Sequence, residues 1–175
     1  MENIDPIERL VSAFRSLPGV GLKTAERYAY SIIKNDEENA KELPEEIKLN
    51  NVRILLAEDN MLNAEIAMTL LADANAYVEL APDGEKALSM LKRATDGYYD
   101  LIIMDIQMPH MNGYEATKNI RGLPDGRCRI PIIAMTANAF EEDRKRAIES
   151  GMNGYVTKPI KIEELISTIK KILKS

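Results

Sequence analysis

The chain reads as an α/β protein: a doubly wound, five-stranded parallel sheet covered by helices and preceded by a small all-α segment. Three observations lead there. From Val52 onward, five short apolar runs alternate with five amphipathic stretches, the pattern that lays helices on both faces of a parallel sheet through right-handed crossovers. The middle runs, LIIM and IIAM, are apolar without alternation, as strands buried on both faces require. The first 50 residues lack this βα rhythm and read as helix, glycine turn, helix.

Taken in order, the first strand is expected at Val52 to Ala57, and a helix at Leu62 to Asp73 follows it. The second strand, Ala76 to Leu80, leads to a helix at Gly84 to Ala94, for which Asp83 has the short acceptor side chain of an N-cap. Asp100 to Asp105 and Tyr114 to Arg121 form the third pair, and Ile130 to Met135 and Ala139 to Ser150 the fourth. Gly151, just past that helix, suits a left-handed C′ position. Gly154 to Thr157 and Ile162 to Leu173 close the series.

Ahead of these, Ile7, Leu10, Val11 and Phe14 make an i, i+3, i+4, i+7 stripe that ends at LPGVG. A second helix from about Leu22 turns Ala25, Tyr28, Ala29, Ile32 and Ile33 to one side. Residues 36 to 49, DEENAKELPEEIKL, are acidic, and Pro44 can open a helical turn from position N1. No Gly/Ser-rich linker joins the parts, which are divided as residues 1–50 and 51–175.

A chain of 175 residues suits one domain with an appendage. The net charge of −5 comprises −3 in residues 1–50 (seven basic, ten acidic) and −2 in the rest (sixteen basic, eighteen acidic), which argues against wholesale coating of nucleic acid. Cys128 is the single cysteine, so an intramolecular disulfide and a cysteine-rich zinc site are excluded and a reducing compartment is expected. No apolar stretch approaches the ~20 residues that span a bilayer, and no signal-like segment opens the chain. The expectation is a soluble, cytoplasmic protein with no membrane partner.

The chemistry is concentrated at the ends of the apolar runs. Glu58 and Asp59 follow VRILLA, Asp105 follows LIIM, Thr136 follows IIAM, and Lys158 lies in GYVTKP. In an open parallel sheet a ligand site lies outside the carboxyl ends of the strands, so these side chains are expected in one pocket. Three carboxylates there would repel one another, and a hard, oxygen-loving divalent cation relieves that. A hydroxyl and an ammonium complete a site suited to a transferable phosphoryl group.

The stretches LLAEDNMLN, LIIMDIQMPHMNGYEAT and IIAMTANAFEEDRKRAIESGMNGYVTKPI resemble the receiver domains of response regulators, especially those of hybrid sensor kinases, from about Asn51 onward. The spacing agrees: 46 residues from Asp59 to Asp105, 31 to Thr136 and 22 to Lys158. The resemblance implies a flavodoxin-like sheet of strand order 2-1-3-4-5. It implies that Asp105 accepts a phosphoryl group from a histidine kinase or a histidine phosphotransfer protein. Mg²⁺ would be bound by Asp59, Asp105 and the backbone carbonyl of Gln107, and by Glu58 through water. Thr136 and the amide of Ala137 would hold phosphoryl oxygens, Lys158 would pair with Asp105 or its phosphate, and Tyr155 would be the switch aromatic beside Thr136. Such a domain catalyses its own phosphorylation and dephosphorylation without being a conventional enzyme.

The segment PIERLVSAFRSLPGVGLKTAERYAYSII resembles the helix-hairpin-helix region of the recombination mediator RecR, without that family's cysteine-rich zinc element or Toprim domain after it. In that motif Gly19, Val20 and Gly21 would offer amide hydrogens to a DNA phosphate, with Lys23, Arg15 and Arg27 nearby. The alternative is packing: a glycine turn between two amphipathic helices is too short to close a core alone, so two copies pack together or one packs on the receiver, and a homodimer is the preferred reading. Three readings stand: a phosphoacceptor module dimerised through residues 1–50, a DNA-binding protein regulated by phosphorylation, and an engineered chimera in which residues 1–50 only drive oligomerisation. His110 and Cys128 are read as loop residues, and Tyr98 and Tyr99 as half-buried packing.

Overall fold

In the computed structural model, residues 11–13, 48–137 and 141–174 are described. The chain divides into two compact units, Met1–Pro44 and Glu45–Ser175. In the first, residues 11–13 are helical, inside the helix expected there. Arg15, Gly19, Val20, Gly21, Lys23, Arg27 and the expected second helix lie outside the described residues, as does Pro44. Leu49 belongs to the second unit: it is buried, and its N–H reaches the Ala74 carbonyl at 2.6 Å.

The second unit is a five-stranded sheet of order β2-β1-β3-β4-β5, every neighbouring pair parallel. The strands are β1 (Arg53–Ala57), β2 (Tyr77–Ala81), β3 (Leu101–Asp105), β4 (Ile132–Thr136) and β5 (Gly154–Thr157). The helices are α1 (Met61–Asp73), α2 (Gly84–Arg93), α3 (Gly113–Arg121), α4 (Glu141–Glu149) and α5 (Ile162–Leu173).

Side-chain parity along the strands builds two cores. Leu55, Ala57, Ile102, Met104, Ile132 and Ala134 point to the face that packs on α2, α3 and Ala147 of α4. Ile54, Leu56, Leu101, Ile103, Ile133 and Met135 point to the face that packs on α1 and α5. Every residue of β3 and β4 is buried, which is why LIIM and IIAM carry no alternation. Among the described residues no helix is long and apolar enough to cross a membrane.

Local signals set the boundaries. Asn60 caps α1 by accepting from the N–H groups of Leu62 and Asn63, both at 3.1 Å. Asp83 caps α2 through the Lys86 N–H at 2.7 Å. Gly151 takes φ +99° after α4, the left-handed conformation expected of it. The fourth strand is displaced from its expected span. Residues Gly126–Arg129 form a short 3-10 turn, the Ile130 N–H closes on the Arg127 carbonyl, and Pro131 has no N–H to offer a sheet ladder, so β4 begins at Ile132 and takes in Thr136.

Candidate functional site

The strand order reverses between β1 and β3, and there the functional groups collect. The β1–β3 register pairs Ala57 with Met104, so one further step sets Glu58 beside Asp105, the last residue of β3. The β3–β4 register pairs Asp105 with Met135, and Thr136 faces Thr157 across β4 and β5. Lys158 follows at once, its N–H on the Thr136 carbonyl at 2.8 Å. Four segments spread over 100 residues of chain thus end at one rim, outside the carboxyl ends of the strands.

Lys158 holds the centre. Its Nζ donates to Glu58 Oε2 and to Asp105 Oδ2, both at 2.6 Å. Glu58 is 1% exposed and Asp105 5%, so this is a largely desolvated ammonium shared by two carboxylates. Burial, reinforced by the Asp105 charge, pushes the Glu58 carboxyl above its ordinary range, against the hydrogen bonds from Lys158 and Asn63 that oppose it. For Lys158, burial pulls the ammonium down, but its hydrogen bonds to Asp105 and Glu58 outweigh that and raise it.

Glu58, Asp59 and Asp105 each offer a carboxylate oxygen within 4.8 Å of the others. That all-oxygen set fits a hard divalent cation. One ammonium against three carboxylates leaves the pocket net negative, as a cation site requires.

The other expected site residues fall around the rim. Asp59 is exposed beside Glu58. Gln107 is exposed, and its N–H reaches Asp105 Oδ1 at 3.2 Å. Thr136 is buried, while Ala137 after it is exposed. Tyr155 is half-buried on β5, with the Arg144 guanidinium 5.3 Å from its ring centroid. His110 is exposed at φ +63°, and Cys128 is half-buried without a disulfide. Tyr99 is buried and Tyr98 exposed, and both phenols donate to Glu79.

Sequence reasoning missed three supports. Asn63 donates its amide to Glu58 Oε1 at 3.1 Å; the signal was an Asn in the first turn of a helix that opens next to the acidic pair. Gly113 packs so closely under Asp105 that a Cβ there would collide with the Asp105 carbonyl; a glycine announces no such contact. Arg121 donates to the carbonyls of Gly151, Cys128 and Ile130 and to the Asn153 side chain, fastening the loops before β4 and β5; its place in the last turn of a helix gives no sign of these partners.

Residues 54–170 match the family described as the response regulator receiver domain. The chain belongs to the response regulator receiver family. Residues 7–49 of this receiver protein match the helix-hairpin-helix family of RecR. The receiver domain of sensor histidine kinase PA1611 from Pseudomonas aeruginosa, a crystal structure with magnesium coordinated in its active-site cleft, is 39% identical. It aligns over 71% of this chain and 99% of its own, with TM-score 0.64. The receiver domain of Ssk1 from Saccharomyces cerevisiae, solved with the histidine phosphotransfer protein Ypd1, belongs to a co-crystal structure that matches at 30% identity. That match covers 70% of this chain and 88% of the other, with TM-score 0.61. The probable histidine kinase 2 of Oryza sativa is 38% identical over 143 residues, 74% of this chain but 14% of the kinase. Receiver architecture is therefore shared with a small part of a much longer relative.

Proposed function

We propose that this receiver is the phosphoacceptor of a phosphorelay, taking a phosphoryl group on Asp105 from a phosphohistidine of a kinase or phosphotransfer protein. The observation that carries the reading is Lys158 bridging Glu58 and Asp105 at 2.6 Å each, at the switch point of the sheet. An oxygen of Asp105 forms the new O–P bond as the N–P bond of the phosphohistidine breaks and the imidazole nitrogen keeps the electron pair. Lys158 stands ready to follow the negative charge from the carboxylate to the phosphoryl oxygens. Thr136, one strand away, and the Ala137 amide hold those oxygens. The inward movement of Thr136 and Tyr155 then changes the surface of α4, β5 and α5, a population shift with chemical input.

Asp59, Asp105 and the Gln107 carbonyl would hold Mg²⁺, with Glu58 reaching it through water. The cation would neutralise the crowded carboxylates and the equatorial charge of the transferring group. Water later hydrolyses the acyl phosphate, so the domain catalyses its own turnover without being a conventional enzyme, in the cytoplasm.

Asp105→Asn tests the assignment. It keeps the shape and removes the nucleophilic charge, so incubation with a small acyl phosphate should leave the variant without the phosphate adduct that mass spectrometry finds on the parent protein. An undiminished adduct on the variant would place the acceptor elsewhere.

We further propose that residues 1–50 make a homodimer. The support is the pair of apolar stripes in a segment too short to bury a core alone. The RecR match over residues 7–49 keeps a second reading, DNA-backbone binding through Gly19, Val20, Gly21 and Lys23, which predicts salt-sensitive retardation of duplex DNA.

A further inference from the structure

The acidic corner of the site is tied to the first turn of α1 by hydrogen bonds that phosphoryl transfer itself does not use. Both oxygens of the buried Glu58 are engaged. Oε2 accepts from Lys158 at 2.6 Å, and Oε1 accepts from Asn63 Nδ2 at 3.1 Å and from the Asn60 N–H at 3.3 Å. An ionised carboxylate can only accept, so the Asn63 amide must turn its NH₂ edge to Glu58.

The helix start explains why this is available. Asn60 is the N-cap of α1 and Asn63 is N3. In a capping box the N3 side chain reaches back to the N-cap N–H, as Glu115 does for Asn112 at the start of α3. At α1 that N–H is taken by Glu58 from the preceding strand end, and the N3 side chain binds Glu58 as well. The carboxylate is thus gripped by helix α1 on one oxygen and by Lys158 on the other.

We infer that Asn63 is a positioning residue for the cation site, holding Glu58 by Oε1 so that Oε2, the oxygen that shares Lys158 with Asp105, is the one presented to a hydrated divalent cation. This rests on reading Glu58, Asp59 and Asp105 as the Mg²⁺ site. Without the amide, Glu58 Oε1 keeps a single long backbone hydrogen bond and its carboxylate plane is free to turn. Partners that orient metal-binding groups typically cost about tenfold or more in metal affinity when removed.

The test is calorimetric titration of the full chain with Mg²⁺ alone, with thermal melts to confirm folding. Asn63→Leu and Asn63→Ala should both weaken Mg²⁺ by about tenfold. Because Asn63 acts through Glu58, Asn63→Leu placed on Glu58→Gln should weaken binding no further than Glu58→Gln alone, a non-additivity that a general loosening of the helix would not give. Unchanged Mg²⁺ affinity in folded Asn63→Leu and Asn63→Ala, or an undiminished loss on the Glu58→Gln background, overturns the inference. Asp59→Asn separates the two readings. Retained affinity in Asp59→Asn removes the cation site and this inference with it, whereas its loss beside normal Asn63 variants removes the inference alone.

Discussion

Glu58 stands in surroundings that disfavour its charge. It is buried beside Asp105, and its carboxyl is raised by burial and by that neighbour despite the hydrogen bonds from Lys158 and Asn63. A carboxyl raised in the folded state contributes most to stability below its unfolded pKa, and that contribution is lost as pH rises through the folded-state value. Ionising this carboxyl is therefore a cost to the folded state. Glu58→Gln should melt at a higher temperature than the parent at pH 7 without divalent ions, and the advantage should fade as the pH falls toward ~4, where the parent carboxyl is protonated as well. Circular-dichroism melts at the two pH values measure this. An unchanged or lower melting temperature for Glu58→Gln at pH 7 would mean that Lys158 more than compensates the buried charge.

The loop from β3 to α3 shows how an element delivers its functional side chain. The Gly113 N–H bonds the Ile106 carbonyl at 3.0 Å, and Asn112 and Glu115 form a capping box over the same turn. A Cβ at Gly113 would strike the Asp105 carbonyl and stand 3.0 Å from Ile106 Cα and from Met104 Cγ. Two of those three atoms are backbone and cannot rotate away. Gly113→Ala should cost about 1–3 kcal/mol in urea denaturation and slow phosphorylation of Asp105, because relief requires the end of β3 to move; full stability would show that the loop yields freely. This contact lay outside what the sequence could say, since a glycine in a polar loop reads as a turn whether or not a carbonyl sits against it. The strand ends were legible for the opposite reason: Asp105, Thr136 and Lys158 interrupt apolar runs, and a parallel sheet brings such interruptions to one edge. Cys128, a loop residue by sequence, lies in the GRCR stretch, a 3-10 turn fastened by Arg127 to the carbonyls of Leu91, Lys92 and Ala94 at the end of α2. Asp125 caps the turn locally by accepting from the Arg127 N–H, whereas the Arg127 anchor on α2 is tertiary and has no local pattern.

At the scale of the whole molecule the two units follow different physical logic. The unit from Glu45 onward closes two apolar cores around its own sheet, and all its proposed chemistry lies beyond Asn51. Residues 1–50 offer two amphipathic stripes, with Leu10, Val11, Phe14, Tyr28 and Ile32 the candidates for contact between copies; Val11 is half-buried, and the other four lie outside the described residues. If packing joins two copies there, an unpaired carboxylate set into the stripe is costly, on the order of 3–5 kcal/mol for a buried, uncompensated charge. Phe14→Asp should therefore sediment as a monomer at concentrations where the parent is dimeric. It should still take up phosphate at Asp105 from a small donor at the parent's rate, because no residue of the site is altered. A dimer that survives Phe14→Asp would move the interface off this stripe. A monomer that can no longer be phosphorylated would show that the acceptor depends on association, and the separation of the chain into an oligomerising segment and an autonomous receiver would have to be given up.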